Sequence, residues 1–182
     1  MALSEFRARK VAHLFDAYDV DGDGFIDHAD YLRFSDSLAA AGAIDAAGKA
    51  KLDSETTALW NQIREHADTS RDGRVSASEW TAWQTSLDDA AGAGGGAFPL
   101  EKYISALVDV LDTDNDGKVS LREYDAGIAA YGYKNVDVAG NFAKFDTDGD
   151  GFLSREEVIA VSAAFWFSED PDAAENYIYG PF

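Results

Sequence analysis

Four twelve-residue segments of this chain follow one pattern. They begin at Asp19, Asp68, Asp112 and Asp146, and each has Asp at positions one and five and Gly at position six. Each also has an aliphatic residue at position eight and an acid at position twelve. A lone Asp-Gly turn is common, because these residues favour tight turns. A turn does not require an acid six residues beyond its glycine, so four copies in register indicate a repeated unit with a shared chemistry.

The spacing of the oxygen-bearing residues is typical of a loop that surrounds a calcium ion. Calcium takes about six to eight oxygen ligands at roughly 2.3–2.6 Å. A loop of this length supplies them from positions one, three, five, seven, nine and twelve, position seven through its backbone carbonyl. Glycine at position six permits the sharp turn that this wrapping needs. The sequence therefore predicts up to four bound Ca²⁺ ions.

The candidate ligands are the residues at these positions, and they form four sets. They are Asp19, Asp21, Asp23, Phe25, Asp27 and Asp30 in loop 1 (residues 19–30); Asp68, Ser70, Asp72, Arg74 and Glu79 in loop 2 (68–79); Asp112, Asp114, Asp116, Lys118 and Glu123 in loop 3 (112–123); and Asp146, Asp148, Asp150, Phe152 and Glu157 in loop 4 (146–157).

The four loops differ in ligand charge and reach. Loops 3 and 4 each offer three Asp and one Glu, so we expect them to bind most securely. Ser70 replaces a carboxylate in loop 2, which we expect to bind most weakly or to fill last. Loop 1 closes on Asp30, one methylene shorter than Glu. A shorter reach and fewer ligands suit the smaller, six-coordinate Mg²⁺, so we expect Mg²⁺ to compete most at loop 1.

Apolar residues at helical spacing flank every loop, as with Val11, Leu14 and Phe15 before loop 1. Each loop is therefore predicted to lie between two amphipathic helices, which is the EF-hand unit. The residues at position eight are expected to pair between neighbouring loops. The predicted fold class is all-α, with four EF-hand helix–loop–helix units in two pairs and a short two-stranded β-ladder between paired loops.

The spacing of the loops suggests how the pairs are divided. Their first residues are 49, 44 and 34 positions apart. We assign the first pair to residues 1–91, a Gly-rich linker to 92–98 and the second pair to 99–182, with an apolar C-terminal tail. Residues 39–58 are Ala-rich and could extend a helix or add a turn. We expect the tail to fold back onto the core, a frayed end being the alternative.

The chain has a large excess of negative charge. Of its 182 residues, 34 are Asp or Glu and 15 are Lys or Arg, so the formal net charge is −19. A compact chain with this charge repels itself, and bound cations would relieve the repulsion. The charge argues against nucleic acid as a partner, because nucleic-acid binding needs a basic patch and no run of Lys and Arg is present.

Other function classes find little support in the sequence. There is no Cys, and the three histidines, His13, His28 and His66, do not cluster as zinc ligands. No nucleophile or nucleotide-binding motif fits its required context, so we do not expect an enzyme. We see neither a signal peptide nor an apolar run long enough for a membrane span. A cytoplasmic monomer is the expectation.

Met content bears on the kind of calcium-binding protein. A calcium sensor exposes a Met-rich groove for target helices when it loads. This chain has one Met, and its apolar helix faces carry Trp, Phe, Tyr and Leu instead. Rigid side chains of this kind favour a permanent core, so we expect a calcium buffer. A sensor that changes conformation and binds a target protein is the alternative.

The four loops, the long connection in the first pair, the first loop that closes on Asp30 and the "SEDP" and "GPF" steps of the tail resemble the sarcoplasmic calcium-binding proteins and calerythrin. The resemblance implies a compact protein with high-affinity Ca²⁺/Mg²⁺ sites and a buffering role. Members of this family often have one degenerate loop, whereas all four loops look usable here.

Calcium-triggered photoproteins and luciferin-binding proteins are also similar and enclose an apolar ligand. Photoproteins have His residues in both halves of their ligand cavity. The three His residues of this chain all lie in its first half, which argues against a light-emitting function.

Overall fold

The computed structural model describes residues 3–92, 100–131 and 136–178. Within these ranges the chain is mostly helical, with eight α-helices, two short antiparallel ladders and a final 3₁₀ helix. The elements in chain order are α1 (Glu5–Tyr18), β1 (Phe25–Ile26), α2 (His28–Ala40), α3 (Ala46–Ala67), β2 (Val75–Ser76), α4 (Ala77–Gly92), α5 (Glu101–Leu111), β3 (Val119–Ser120), α6 (Leu121–Tyr131), α7 (Val138–Phe145), β4 (Phe152–Leu153), α8 (Arg155–Phe167) and the 3₁₀ helix (Ala174–Tyr177).

Each loop overlaps the end of the helix before it and the first turn of the helix after it. The first residue of every loop is the C-cap of the entering helix; Asp19, for example, donates its N–H to the carbonyl of Phe15. The exiting helix begins at position ten, which makes position nine its N-cap. In α8 the Ser154 hydroxyl accepts from the N–H of Glu157, while the Glu157 carboxylate accepts from Ser154. Helix capping thus fixes the loop ends without any ion.

The loops are joined in pairs by the predicted ladders. β1 pairs with β2 and places Ile26 opposite Val75, while β3 pairs with β4 and places Val119 opposite Leu153. All four of these side chains are buried. The prediction of four EF-hand units in two pairs with short ladders is confirmed.

The sequence left open whether the two pairs dock, and the structure shows that they do. The Phe34 ring on α2 stacks on the Tyr131 ring on α6, with centroids 3.7 Å apart. Trp80 and Trp83 on α4 meet Trp166 on α8 edge to face at 6.2 and 5.9 Å. These contacts make one continuous aromatic core across both pairs.

The additional sequence in the first pair forms both features that were considered. α2 ends at Ala40, a turn follows, and α3 then runs for 22 residues to Ala67. The assigned linker at 92–98 lies, except for Gly92 at the end of α4, outside the described residues. No helix in the described ranges is both long and apolar enough to cross a bilayer.

The beginning and end of the chain are held together by a buried lysine. The Lys10 ammonium on α1 is fully buried and donates to the Ser168 carbonyl at 3.1 Å and to Asn176 Oδ1 at 3.0 Å. The Phe165 ring lies 4.5 Å from the same ammonium. Ile178 is half-buried and packs against the core, and residues 179–182 lie outside the described ranges. The tail folds back at least as far as Ile178.

Replacing Asn176 by Ala is expected to lower the free energy of unfolding by about 1–3 kcal/mol, because the buried Lys10 ammonium loses an acceptor. Urea denaturation of the calcium-loaded protein measures the change. Asn61→Ala, an exposed amide on α3, is the matched control and should stay within about 0.5 kcal/mol of the parent. Equal stability of the two variants would contradict a structural role for this contact.

Candidate metal centres

Three of the four loops bring carboxylates together. In each of these loops, carboxylate oxygens from positions one, three and twelve all lie within 4.8 Å of one another. The groups are Asp19, Asp21 and Asp30; Asp112, Asp114 and Glu123; and Asp146, Asp148 and Glu157. Two oxygens on opposite sides of a calcium ion are separated by about 4.6–5.2 Å, so the spacing fits this ion.

Loop 2 does not form such a group within the described part of the chain, because its third position is Ser70 and not an acid. The Ser70 hydroxyl donates to Asp68 Oδ1 at 3.2 Å. A hydroxyl is a neutral ligand, so an ion at loop 2 meets one negative charge fewer. This geometry agrees with the expectation that loop 2 binds most weakly, and its occupancy stays a prediction.

Backbone N–H groups hold the first aspartate of each loop. Asp19 accepts from the N–H of Asp23 at 3.1 Å and from the N–H of Gly24 at 2.9 Å. Asp112 accepts from Asp116 and Gly117 in the same way, at 3.0 and 2.8 Å. Asp68 and Asp146 have equivalent donors. These donors partly offset the repulsion between crowded carboxylates, so each loop is folded around its site.

Position four of each loop has a left-handed backbone as well as position six. Gly22 and Gly149 have φ values of +72° and +73°, and loops 2 and 3 carry Arg71 at +63° and Asn115 at +60°. Asn tolerates this conformation, whereas Arg is strained in it. Loop 2 therefore has a strained backbone in addition to lacking the carboxylate at position three.

The closing glutamates of loops 2, 3 and 4 are held by four donors each. Glu123 Oε1 accepts from the N–H and hydroxyl of Thr113, both at 2.7 Å. Its Oε2 accepts from the N–H and hydroxyl of Ser120 at 2.9 and 2.8 Å. Glu157 has the same arrangement with Thr147 and Ser154, and Glu79 differs in that its Oε1 accepts the hydroxyl of Thr69 and the N–H of Ser70. Each glutamate thus ties the start of its loop to the exiting helix.

These donors keep the closing glutamates ionised. For Glu79, the hydrogen bond from the Ser76 backbone leads a set that lowers the pKa to about 2. For Glu157, desolvation acts to raise the pKa, but hydrogen bonds from Ser154 and Thr147 outweigh it and lower the pKa to about 2. The pKa of Glu123 is also lowered, its hydrogen bonds outweighing desolvation.

Loop 1 closes differently. It has Val20 at position two and Asp27 at position nine, so Asp30 receives backbone N–H bonds at 3.2 and 2.9 Å but no hydroxyl from these positions. Desolvation, together with the negative charges of Asp27 and Asp21, raises the pKa of Asp30. The Asp27 side chain caps α2, accepting from the N–H of Ala29 at 2.7 Å. Loop 1 therefore departs from the other three at positions two, nine and twelve together.

The remaining predicted ligands lie beside the carboxylate groups. The aspartates at position five each accept the N–H of the residue at position seven at 2.9 Å; they are Asp23, Asp72, Asp116 and Asp150. The position-seven residues are predicted to bind through their backbone carbonyls, and their side chains meet across the ladders. Arg74 lies over the Phe25 ring at 3.7 Å, and Lys118 lies over the Phe152 ring at 5.5 Å. Whether each ligand binds an ion stays a prediction.

Sequence reasoning missed the threonines at position two and the serines at position nine as residues that orient the closing acid. A signal for them was present, because both recur in three of the four loops: Thr69, Thr113 and Thr147, and Ser76, Ser120 and Ser154.

Comparison with known proteins agrees with this geometry. The family model of the EF hand matches residues 11–35 and 141–162, and that of the EF-hand domain pair matches residues 86–124. The sarcoplasmic calcium-binding protein alpha chain of Penaeus vannamei is 31% identical over 176 residues, which cover 90% of this chain and 89% of the relative. Calerythrin of Saccharopolyspora erythraea is 26% identical, covering 84% of this chain and 88% of its own.

A solved structure extends the similarity to three dimensions. The Streptomyces coelicolor calcium-binding protein, described in a study of prokaryotic calcium-mediated regulation, has 26% identity and a TM-score of 0.73. The match covers 88% of this chain and 97% of that one. Fold and loops together define an EF-hand calcium-binding protein. Within that class, the chain belongs to the sarcoplasmic calcium-binding protein family, which includes calerythrin-like members.

Replacing Thr113 by Val is expected to lower the calcium affinity of loop 3 by roughly threefold to tenfold. The variant keeps the side-chain shape but removes the hydroxyl that orients Glu123, a contribution of about 0.6–1.4 kcal/mol. Calcium titration followed at the Gly117 amide by NMR reports loop 3 alone, because this N–H donates to Asp112. Thr113→Ser keeps the hydroxyl and is the control. A higher affinity in Thr113→Val would mean that the hydroxyl competes with the ion instead.

Proposed function

We propose that this protein is a calcium buffer that takes up as many as four ions through its four loops. The observation that carries the proposal is the aromatic core between the two pairs. Trp80, Trp83 and Trp166 are almost completely buried and pack edge to face. A sensor needs an apolar surface that is covered without calcium and uncovered with it. Here the apolar faces of the two pairs pack against each other.

Charge supports the same proposal. Four Ca²⁺ ions carry eight positive charges and would change the formal net charge of the chain from −19 to about −11. Relief of this self-repulsion couples ion binding to compaction, because the carboxylates that repel in the ion-free protein become ligands. A protein that becomes tighter as it loads stores calcium without presenting a new surface. On this proposal it acts as a cytoplasmic monomer and is not an enzyme.

Two other functions are separable from buffering. A sensor would bind a target protein only when loaded. A luciferin-type protein would need a large apolar cavity, and sites for drug-sized ligands measure about 300–1,000 Å³. The apolar cavity of the second pair, beside Tyr124 and Ser162, measures about 70 Å³. A pocket of about 290 Å³ beside Phe145 is lined in part by Lys144, Glu156 and Glu157, and these charged walls do not suit an apolar ligand. The two pockets therefore favour buffering over the binding of a large apolar ligand.

Calcium removal is expected to loosen the protein and expose apolar surface. A site at a hundred times its Kd adds about 2.7 kcal/mol to the stability of the folded state, so chelation should lower the Tm markedly. Calorimetric melting and binding of a hydrophobic dye, each with calcium and with chelator, make the test. A buffer shows more dye binding without calcium. Greater dye binding on loading, or equal Tm in the two states, would contradict buffering by compaction.

Mg²⁺ is expected to compete at loop 1, and the length of the closing acid should control the competition. In Asp30→Glu the longer side chain can reach the ion with both oxygens, as calcium prefers, so millimolar Mg²⁺ should shift the calcium midpoint of loop 1 less than in the parent. Glu157→Asp is the reciprocal variant and should bring Mg²⁺ competition to loop 4. NMR titrations at the Gly24 and Gly151 amides separate the loops, and calorimetry gives the totals.

Failure of Mg²⁺ to compete at loop 1 of the parent would remove this part of the proposal. The same shift in the parent and in Asp30→Glu would instead show that the length of the closing acid does not set selectivity.

A further inference from the structure

The two pairs share a feature that neither the calcium ligands nor the core accounts for. In each pair, one loop has an aromatic residue at position seven and the other has a basic one: Phe25 faces Arg74, and Phe152 faces Lys118. The aromatic residue belongs to the outer loop, which is loop 1 or loop 4. The basic residue belongs to the inner loop, which is loop 2 or loop 3. The arrangement is thus repeated in mirrored order along the chain.

Each basic side chain reaches a metal-binding carboxylate of the partner loop. Arg74 Nη1 lies 3.4 Å from Asp23 Oδ2, across the first ladder. The Lys118 ammonium forms an ion pair with the Asp150 carboxylate, across the second ladder. Both carboxylates are at position five, and each uses its other oxygen to accept the N–H of Phe25 or Phe152. A positive charge therefore stands at the rim of loop 1 and of loop 4.

The aromatic rings hold these charges in place. The Arg74 guanidinium centre lies 3.7 Å from the centroid of the Phe25 ring, and the Lys118 ammonium lies 5.5 Å from that of Phe152. Cations are attracted to the face of an aromatic ring within about 6 Å. Phe152 is 36% exposed, so burial of the ring does not explain its presence. The two rings act as positioning residues for the cations.

We propose that Arg74 and Lys118 are internal competitors of the metal ion, each lowering the calcium affinity of the partner loop while stabilising the ion-free protein. A cation at this rim repels an incoming Ca²⁺ and also reduces the repulsion among the empty carboxylates. The inference deepens the proposed function and rests on ion binding at loops 1 and 4. It assigns the tuning of each outer site to a residue of the inner loop.

The proposal predicts opposite effects on the two states, which distinguishes it from a structural role. Removing the Lys118 charge should raise the calcium affinity of loop 4 by roughly threefold to tenfold, since a pair of this exposure is weak but the ion is divalent. It should also lower the Tm of the ion-free protein, by about 1–4 °C, because the carboxylates lose their internal counter-ion. A side chain that merely supported the fold would weaken both states.

The experiment compares Lys118→Met with two controls. Lys118→Arg keeps the charge, and Lys102→Met makes the same charge change at an exposed position near the start of α5, ten residues before loop 3. The Gly151 amide donates to Asp146 and reports loop 4 in an NMR calcium titration. The expected result is a lower calcium midpoint at Gly151 in Lys118→Met alone, with a lower Tm in chelator. Arg74→Met should act in the same way at Gly24, the reporter of loop 1.

The contrary results are distinct. Equal Gly151 midpoints in the parent and Lys118→Met would overturn the inference while leaving calcium binding at loop 4 intact. Weaker calcium binding together with a lower ion-free Tm would also overturn it, because that is the signature of a structural residue. No response of Gly151 to calcium in the parent would remove the fourth site itself, and the inference with it.

Discussion

Repulsion between carboxylates is the constraint on which this structure depends. Three loops place three acids each within 4.8 Å, in a chain whose formal net charge is −19. Like charges at this distance cost free energy unless donors or cations offset them. The loop backbone supplies part of the offset, because its N–H groups point inward at the first aspartate and the closing acid. The rest is available to a bound cation, so ion affinity and loop geometry have one physical origin.

The hydrogen-bond donors that offset the repulsion between carboxylates are distributed unequally among the loops. Loops 2, 3 and 4 give the closing glutamate two hydroxyls and two backbone donors, whereas Asp30 in loop 1 has backbone donors from Val20 and Asp27. The pKa of Glu79 and of Glu157 is accordingly about 2, while the pKa of Asp30 is raised. The closing acid of loop 1 therefore has fewer hydrogen-bond donors to offset its negative charge than the closing acids of loops 2, 3 and 4. An ion bound in loop 1 would offset the charge that hydroxyl donors offset in the other loops. The ion must also fit Asp30, whose side chain is shorter than that of Glu.

Much of the fold could be predicted from the sequence, because it follows from local patterns. The loops and their flanking helices depend on residues close in the chain, and the ladders at Ile26 and Val119 follow from the repeated loop pattern although their partners, Val75 and Leu153, lie 49 and 34 residues away. The structure brings together the carboxylates at positions one, three and twelve of loops 1, 3 and 4, and their role as ligands stays a prediction. The contacts that could not be predicted are those between distant segments. A lysine on a helix such as α1 is expected at the surface. Lys10 is buried instead, and Asn176, 166 residues away, accepts its hydrogen bond. The docking of the two pairs through Trp166 could not be predicted for the same reason.

The departures of loop 1 are better understood as one change than as three. In loops 3 and 4 the closing Glu accepts from both the N–H and the hydroxyl at positions two and nine, whereas Asp30 accepts from the N–H groups of Val20 and Asp27 at those positions and receives no hydroxyl from them. Asp30 is shorter than Glu and is buried, with 7% of its surface exposed against 8% for Glu123. Position two is then free to be Val20, half of whose surface is exposed, and position nine is free to carry an acid that caps α2. On the proposal that Mg²⁺ competes at loop 1, the short closing acid and the additional carboxylate at the helix cap give this loop high charge and little reach, which suits a small, octahedral cation better than calcium.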